Sequence, residues 1–275
     1  MKILLVLIGV CTVTPSFAAN KTVADKLLLN ESRFMELRAL DGWRLSFDDT
    51  GVVNWQESWF RDGMQSKVTN SEDGMTFTAG PKEWDAASHA VLWTRKSFSG
   101  DIRMEYDYTR LDTDNKWVNI LYIQATGTGA APYTKDIAQW TALRNIPAMK
   151  VYFENMKLLH ISYAAFGGED KGVAADYVRA RRYPLGKGEV FRTDTALAPD
   201  YLQTSLFKPG VTYHVTVLKK GAELFFAFEN DQGRKIFKWS SPKVEEITEG
   251  RVGFRHMWRR SSKYKNIRVY EMKEK

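Results

Sequence analysis

The residues of this sequence best suited to acid–base chemistry lie between Lys157 and Pro184, a segment that reads as two strands around a loop rich in glycine and acidic residues. Successive side chains of a strand point to opposite faces, and the more apolar set faces the core. The predicted core set is Leu159, Ile161, Tyr163 and Ala165 in the first strand and Val178 and Ala180 in the second. The opposite surface then carries His160, Ser162 and Ala164, together with Tyr177, Arg179 and Arg181. If the two strands pair, they form a basic site with a titratable group.

The residue types on this surface can bind an acid group and move protons. Arginine binds carboxylates through its planar fork of N–H groups, and histidine and tyrosine exchange protons. We predict His160 and Tyr177 as proton-transfer residues and Arg179 and Arg181 as binding residues. Further binding residues are predicted at Arg255, Gln124 and His89. The alternative interpretation is structural, with a histidine bonded to the backbone and arginines paired with Glu169, Asp170 or Asp176.

The elements that must position these residues read as many short strands. From Trp43 onward, alternating segments are separated by Asp-Gly and Gly-Pro turns, and residues 116–125 are apolar throughout, as in a central strand. Helical spacing is found in residues 21–40 and 136–158. The pattern predicts an all-β, two-sheet jelly-roll sandwich with a short helical insertion, formed as one domain by residues 20–275.

The first 19 residues read as a secretory signal peptide: a basic start at Lys2, a short apolar run and small residues at Ala18 and Ala19. The single cysteine, Cys11, lies inside this segment. The mature chain therefore has no disulfide, cysteine nucleophile or cysteine–zinc site. We predict a secreted or periplasmic protein of bacterial origin, and no stretch is long enough for a membrane span.

The charge of the chain favours an anionic partner. The net charge is +7, and removing Lys2 with the signal peptide leaves +7 − 1 = +6. Acidic polysaccharide suits an exported protein better than nucleic acid, for which the sequence has no binding motif. No histidine pair has metal-ligand spacing and no acidic loop has the calcium pattern, so we predict no metal and no cofactor. A structural calcium held by backbone oxygens leaves no mark in a sequence.

Several segments resemble bacterial members of the concanavalin A-like lectin/glucanase superfamily, in particular an exported family carried as a domain of unknown function. The matching segments are NWQESWFRDG (54–63), HAVLWTRKSFSGDIRMEYDYTRLD (89–112), DIAQWTALRNIPAMKVYF (136–153), HISYAAF (160–166) and GRVGFRHM with YKNIRVYE (250–271). The resemblance implies a carbohydrate groove on the concave sheet. It does not select an activity, because the superfamily includes lectins, glycoside hydrolases and polysaccharide lyases.

Three functions follow from the residues and this resemblance. The first is cleavage of a uronic acid polymer by β-elimination, which needs a cation for the sugar carboxylate, a base and an acid; the hairpin residues supply these types. The second is glycoside hydrolysis by Glu105 and Asp107, whose Cα atoms lie about 6.5–7 Å apart on one strand face. This pair resembles the carboxylate strand of laminarinase-like glucanases but lacks their further glutamate. The third is binding without cleavage, with Trp140 and Trp258 as sugar-stacking residues.

Overall fold

The structure, a computed structural model, describes residues 23–166, 176–241 and 245–273. The predicted signal peptide lies outside the described residues, and so do residues 167–175 of the hairpin loop with Glu169 and Asp170. Within the described part, the strands form two antiparallel sheets packed face to face. The predicted β-sandwich is therefore confirmed.

Sheet A contains eight strands in the described residues, in the order β13-β12-β11-β6-β15-β4-β3, with β1 also pairing with β15. Its strands are β1 (Trp43–Asp49), β3 (Lys67–Ser71), β4 (Gly74–Thr78), β6 (Ile102–Arg110), β11 (Thr212–Lys220), β12 (Glu223–Asn230), β13 (Gly233–Ser240) and β15 (Ser261–Met272).

Sheet B contains seven strands in the described residues, in the order β10-β9-β8-β7-β14-β5-β2. Its strands are β2 (Trp59–Asp62), β5 (Ala90–Ser99), β7 (Trp117–Gly127), β8 (Met156–Phe166), β9 (Asp176–Tyr183), β10 (Ala196–Leu202) and β14 (Glu249–His256). The apolar segment predicted as a central strand is β7, which lies in the middle of this sheet and is buried along most of its length.

The main core lies between the two sheets and follows the alternation of the sequence. In β6 the inward residues include Met104, Tyr106 and Tyr108, and in β14 they include Val252 and Phe254. All five are fully or almost fully buried. Burying side chains of this size stabilises the fold by about 1.5–3 kcal/mol each relative to leaving them exposed.

Helices cover the outer faces of both sheets. Helix α1 (Val23–Arg38) buries Phe34 and Leu37 against β11 and β12 of sheet A. Between β7 and β8, a 3₁₀ segment (Ile137–Arg144) and helix α3 (Met149–Asn155) lie over sheet B. Elsewhere in the described residues the α-helices are single turns, α2 (Trp55–Ser58) and α4 (Phe191–Asp194), and a further 3₁₀ turn spans Ala86–Ser88.

The two predicted helical segments are thus confirmed, with one difference in the second. Pro147 separates the 3₁₀ segment from α3 because proline cannot continue a hydrogen-bonded helix. Strand β8 already begins at Met156, so the helical part ends three residues before the predicted boundary at 158. We call residues 128–155 the helical insertion; its packing gives sheet B a second apolar layer.

Candidate functional site

The two strands on either side of the acidic loop pair, which is the condition that the predicted site requires. Strands β8 and β9 are antiparallel neighbours, with His160 opposite Arg181 and Ser162 opposite Arg179. Ile161, Val178 and Ala180 point into the core between the sheets, as predicted. The pairing therefore places a histidine and two arginines on the outer face of sheet B.

A bulge in β8 changes the rest of the predicted surface. Ala164 has φ of 43°, and the register shifts between Ser162 and Ala165. This extra residue reverses the alternation, so Ala164 faces the main core and Ala165 the outer face, the opposite of the prediction. Tyr177 now pairs with Ala165, four residues along β9 from Arg181. That spacing is about 13 Å, too far for Tyr177 to exchange a proton with His160.

The sequence predicts that His160 and Arg181 line an open surface, and this prediction is wrong. His160 is 2% exposed and Arg181 is 5% exposed. The irregular segment after β9 folds back over this surface. The Arg181 guanidinium donates to the carbonyls of Phe191 and Arg192 and lies 4.6 Å from the centre of the Phe191 ring. Phe153 of α3 packs on the same phenyl ring, at 4.6 Å between ring centres. Two helical segments therefore close the face that alternation alone leaves open.

His160 is held at both ring nitrogens. Nδ1 lies 2.6 Å from the Tyr183 hydroxyl, and Nε2 lies 2.7 Å from the Ser162 hydroxyl. Burial, with the positive charge of Arg181 next in importance, lowers the pKa of His160 well below its usual value. The imidazole is therefore neutral at pH 7, so one nitrogen accepts a hydrogen bond and the other donates one.

Tyr177 and Arg179 form a separate, more open pair near the start of β9. The Arg179 side chain is 28% exposed and binds the Asp200 carboxylate at 2.7 Å. Its guanidinium also lies 4.8 Å from the centre of the Tyr177 ring. Asp176, one of the acids suggested for pairing with the arginines, instead accepts hydrogen bonds from the backbone of Ser205 and Leu206. Arg179 is thus neutralised by an acid of β10.

Arg255 is the most unusual side chain of this face, because it is fully buried without an acid partner among its hydrogen bonds. Its Nη2 donates to the Pro147 carbonyl at 2.6 Å and to Nδ1 of His89 at 2.8 Å. The guanidinium lies 4.5 Å from the centre of the Tyr152 ring. Nε and Nη1 make no hydrogen bond of normal geometry, although the Tyr122 hydroxyl lies near enough to interact with the guanidinium. Buried donors of a charged group are normally paired, so this arrangement indicates a place for an acceptor.

His89 extends the Arg255 environment toward the surface. Burial, reinforced by the charge of Arg255, lowers the pKa of His89 to about 3. Because Nδ1 accepts from Arg255, the hydrogen of the neutral ring sits on Nε2. That nitrogen is buried and without a partner. His89 thus provides a second free donor in contact with the arginine.

Three buried tyrosines fill the space between Arg255 and His160. Tyr122 stacks on Tyr152 with ring centres 5.8 Å apart, and its edge meets His160 at 5.7 Å. Burial raises the pKa of Tyr122 to about 12 and those of Tyr152 and Tyr183 well above the usual range. The charge of Arg255 opposes each of these shifts. The hydroxyls therefore keep their protons at neutral pH. We call His89, Tyr122, His160, Tyr183 and Arg255 the buried polar cluster.

The helical insertion is anchored over this cluster by a buried ion pair. Asp62, at the end of β2, accepts at Oδ2 from Arg144 (2.6 Å), from the Trp93 indole (2.7 Å) and from the Tyr152 hydroxyl (2.9 Å). Both charged side chains are 0% exposed. Arg144 also donates to carbonyls of its own 3₁₀ segment, including that of Ile137. One carboxylate thus connects sheet B, α3 and the 3₁₀ segment.

Two other predicted binding residues lie outside the cluster. Gln124 is fully buried, with φ of 51°, and its amide donates to the Gly100 carbonyl in the turn between β5 and β6. Trp140 is 4% exposed and donates to the Thr134 carbonyl inside the insertion. Neither side chain offers a free surface for a sugar in this structure.

Glu105 and Asp107 lie on the outer face of sheet A, whereas the strands that carry the buried polar cluster belong to sheet B. Glu105 pairs with Arg103 and with Arg38 of α1 at 3.4 and 3.5 Å. Asp107 binds His214 at 2.9 Å and Asn266 at 2.6 Å, and these hydrogen bonds lower the pKa of its carboxyl against the opposing effect of burial. A carboxyl with a lowered pKa is a poor general acid, which disfavours the hydrolase interpretation.

A group of three tryptophans adjoins the cluster, and two of them, Trp84 and Trp117, were not predicted from the sequence. Trp84, Trp117 and Trp258 pack on each other with ring centres 4.2 to 5.6 Å apart. Trp258, proposed for stacking, is 7% exposed, whereas Trp84 is 78% exposed. The Trp258 ring lies 4.3 Å from the His89 ring. Trp84 lies between the Gly80-Pro81 pair and strand β5, in a segment whose sequence has neither strand nor helix periodicity.

Across the described residues, no group of three or more histidine, cysteine, aspartate or glutamate side chains has the arrangement of a metal site. In the same part of the chain, no helix is long and apolar enough to cross a membrane.

Comparisons with known proteins identify the fold. No protein-family model matches the chain, and no curated protein matches it. Among solved structures, a Bacillus subtilis protein of unknown function with a galectin-like fold has a TM-score of 0.63 at 14% identity, covering 85% of this chain and 100% of that one.

Two lectin domains are also similar in structure. The VIP36 exoplasmic/lumenal domain, in its Ca²⁺/Man3GlcNAc-bound form, has a TM-score of 0.55 at 10% identity, covering 84% of this chain and 92% of that one. The Emp47p carbohydrate recognition domain has a TM-score of 0.51 at 13% identity, covering 84% and 98%. At these identities the likeness shows the fold alone. The chain has a galectin-like and lectin-like β-sandwich fold, and the narrower family resemblance stays a prediction.

Proposed function

We propose that this protein is exported, binds an acidic polysaccharide and cleaves it by β-elimination at the buried polar cluster. The observation that carries the proposal is Arg255, a buried guanidinium whose Nε and Nη1 have no partner. Structures of similar fold support the carbohydrate class, since one is a carbohydrate recognition domain and another holds Man3GlcNAc. That support is analogy of fold, and the choice of an acidic sugar depends on Arg255.

In this proposal Arg255 binds the carboxylate of a uronic acid. Arginine is suited to this role, and its hydrogen bonds to a carboxylate are charge-assisted. The free Nε2–H of His89 is a second donor beside the arginine. Together they withdraw charge from the carboxylate, which makes the hydrogen on the adjacent carbon more acidic.

His160 and Tyr183 then exchange the protons. Nε2 of neutral His160 takes the hydrogen α to the carboxylate, and the released electron pair forms the carbon–carbon double bond. The bond from the β carbon to the glycosidic oxygen breaks with its electron pair, and Tyr183 protonates that oxygen. The Nδ1 proton of the imidazolium passes to the Tyr183 oxygen across their 2.6 Å contact, which restores the tyrosine. The new hydrogen stays on Nε2, and exchange with solvent while the site is open returns His160 to the tautomer with a free Nε2. A bound carboxylate also raises the pKa of His160 toward the range of a working base.

The reaction requires both the helical insertion and the Phe191 turn to move, because His160 and Arg255 are 2% and 0% exposed and both segments close this face. The Tyr122 ring, which lies beside His160, must also turn aside for one sugar to reach both groups. The contacts to be released are the Pro147 carbonyl on Arg255 and the Tyr152 ring beneath the guanidinium. Both belong to the insertion, so one movement uncovers the cation.

A second candidate function is binding without cleavage, and the burial of His160 favours it. A histidine that holds two hydrogen bonds under a cover acts as a structural residue unless the cover opens. In that case the saccharide binds at the outer surface, and no double bond forms.

The test is incubation with a panel of uronate-containing and neutral polysaccharides, following both reducing ends and the ultraviolet absorbance of unsaturated uronates. The proposal expects absorbance to grow with the wild type and to fall at least about 10²-fold in Arg255→Lys, which keeps the charge but loses the fork. Arg95→Lys is the matched control, since this exposed arginine bonds the Gln56 carbonyl and should behave as wild type. Thermal unfolding of each variant separates loss of function from loss of fold. Saturable binding without absorbance supports the second candidate, and reducing ends without absorbance refute elimination.

A further inference from the structure

We propose that Trp84 is the stacking platform of a separate sugar-binding subsite, and that this subsite takes a neutral pyranose ring of the chain whose uronate reaches Arg255. The proposal rests on the proposed function for the position of the uronate. It adds a residue, a surface and a sugar class that the buried polar cluster does not specify.

The first observation is the exposure of a large aromatic ring. Trp84 is 78% exposed, more than any other large apolar side chain in the described residues, where Met64 at 70% is next. Leaving an indole in water is unfavourable, and aromatic faces of this kind pack against the apolar faces of flat ligands. A sugar ring offers such a face through its axial C–H groups while its hydroxyls remain at the edge.

The second observation is that the ring is held in place. Its edge meets Trp117 at 87° with ring centres 4.7 Å apart, and it is tilted by 47° against Trp258 at 5.6 Å. Trp117 and Trp258 contact each other at 4.2 Å. A platform fixed by two buried or half-buried rings loses little conformational freedom when a ligand stacks on it, which favours binding.

The third observation concerns the backbone. Trp84, Trp117 and Arg259 have φ of 63°, 66° and 56°, in the left-handed region that bulky residues seldom adopt. Three such residues meet at one surface, because Trp84 contacts Trp117 and Arg259 pairs with Glu83. Strained residues of this kind cluster at binding sites, where the surrounding structure holds them.

The polar rim of the platform selects against an acidic sugar. Arg259 is neutralised by two carboxylates, Glu83 and Asp114, the second at 2.9 Å. Arg259 is therefore already engaged by carboxylates, and a uronate stacked on Trp84 would have to compete with them for its guanidinium. The indole Nε1 of Trp117 is buried without a partner. It is a neutral donor suited to a hydroxyl of an uncharged sugar.

The platform is continuous with the buried polar cluster through two contacts. The Trp258 ring lies 4.3 Å from His89, and His89 accepts from Arg255. A chain that stacks a neutral ring on Trp84 is thus directed toward the arginine. The geometry points to a polymer that contains both neutral and uronic acid residues.

The experiment is a calorimetric and tryptophan-fluorescence titration with cellohexaose, mannohexaose, xylohexaose and a hyaluronan hexasaccharide, which alternates acidic and N-acetylated sugars. The wild type is expected to bind at least one neutral hexaose. Trp84→Ala should weaken that binding at least about tenfold, equivalent to about 1.4 kcal/mol, and Trp84→Phe should retain part of it. Leu202→Ala, which removes another exposed apolar side chain from β10, is the matched control and should bind as wild type.

Failure of this inference and failure of the proposed function can be told apart. Arg255→Lys should lose uronate cleavage and keep binding of the neutral hexaose, whereas Trp84→Ala should lose the neutral hexaose. Unchanged neutral-sugar affinity in Trp84→Ala, or no binding of any neutral hexaose by the wild type, overturns the platform. Since Trp84 is exposed, both of its variants should unfold at the wild-type temperature, and circular dichroism checks this.

Discussion

Replacement of Arg144 by methionine is expected to destabilise the protein by about 3–5 kcal/mol, because it leaves a buried carboxylate without its cation. Methionine is close in length to arginine and keeps the contact with the Trp140 ring, which now lies 4.2 Å from the guanidinium carbon. The lost contacts are the 2.6 Å pair with Asp62 and the hydrogen bonds to the carbonyls of Ile137 and Trp140. For a chain of this size the melting temperature should fall by roughly 6–20 °C.

The pH dependence of this variant follows from Asp62. Burial raises the pKa of its carboxyl, and Arg144 is the largest opposing influence. Without Arg144 the folded-state pKa rises further above the unfolded value, so the charged form is disfavoured in the fold. Stability is then lost as the pH rises through the folded pKa, and acidification toward the unfolded pKa restores it. The deficit of Arg144→Met relative to wild type should therefore shrink at lower pH.

Thermal unfolding by circular dichroism at several pH values measures both effects. Arg95→Met is the matched control, because this exposed arginine bonds one carbonyl and should change stability by about 0.5 kcal/mol or less. If Arg144→Met melts within about 2 °C of wild type, the ion pair does not hold the insertion and the reasoning is wrong.

Two further predictions concern the histidines and the acids of sheet A. His89, His160 and His256 have folded-state pKa values below the unfolded value. Their contribution to the free energy of unfolding is therefore fully present above about pH 6.5 and is lost on acidification. Each contributes a slope of up to about 1.4 kcal/mol per pH unit, and urea unfolding of His160→Gln should show a profile shallower by that amount. A flat wild-type profile below pH 6.5 contradicts this. Glu105→Gln and Asp107→Asn should leave the rate of any cleavage unchanged. A fall of about 10²-fold in that rate in either variant would support the hydrolase interpretation instead.

The parts of the fold that were predicted are those fixed by local alternation. Tyr106 and Tyr108 in β6, Phe254 in β14 and Ile161 in β8 all follow a period of two, and each faces the main core. The pairing of β8 with β9 was a condition that the sequence left open, and the structure meets it. Local pattern is informative here because one face of each strand must be buried.

The parts that were not predicted depend on contacts between distant residues. The bulge at Ala164 reverses a face without any glycine or proline to mark it. Asp62 and Arg144 are 82 residues apart, and their pairing appears in no motif. Phe191 lies in α4, a single turn that follows β9, and its carbonyl accepts from Arg181 while its ring helps close the face. Residues suited to chemistry could be named from the sequence, but their exposure could not.

The same contacts that hide Arg255 also suggest why the site remains responsive to a ligand. A buried donor without a partner costs about 1–3 kcal/mol, more for a charged group, and Arg255 has two nitrogens in this state with His89 adding a third. The closed form is therefore less stable than it would be if each of these three nitrogens had a hydrogen-bond acceptor. An anion that pairs with these donors recovers that free energy, which can offset the loss of the Pro147 bond when the insertion moves. Water cannot neutralise the guanidinium and a carboxylate can, so opening of the insertion should favour an acidic ligand over a neutral one.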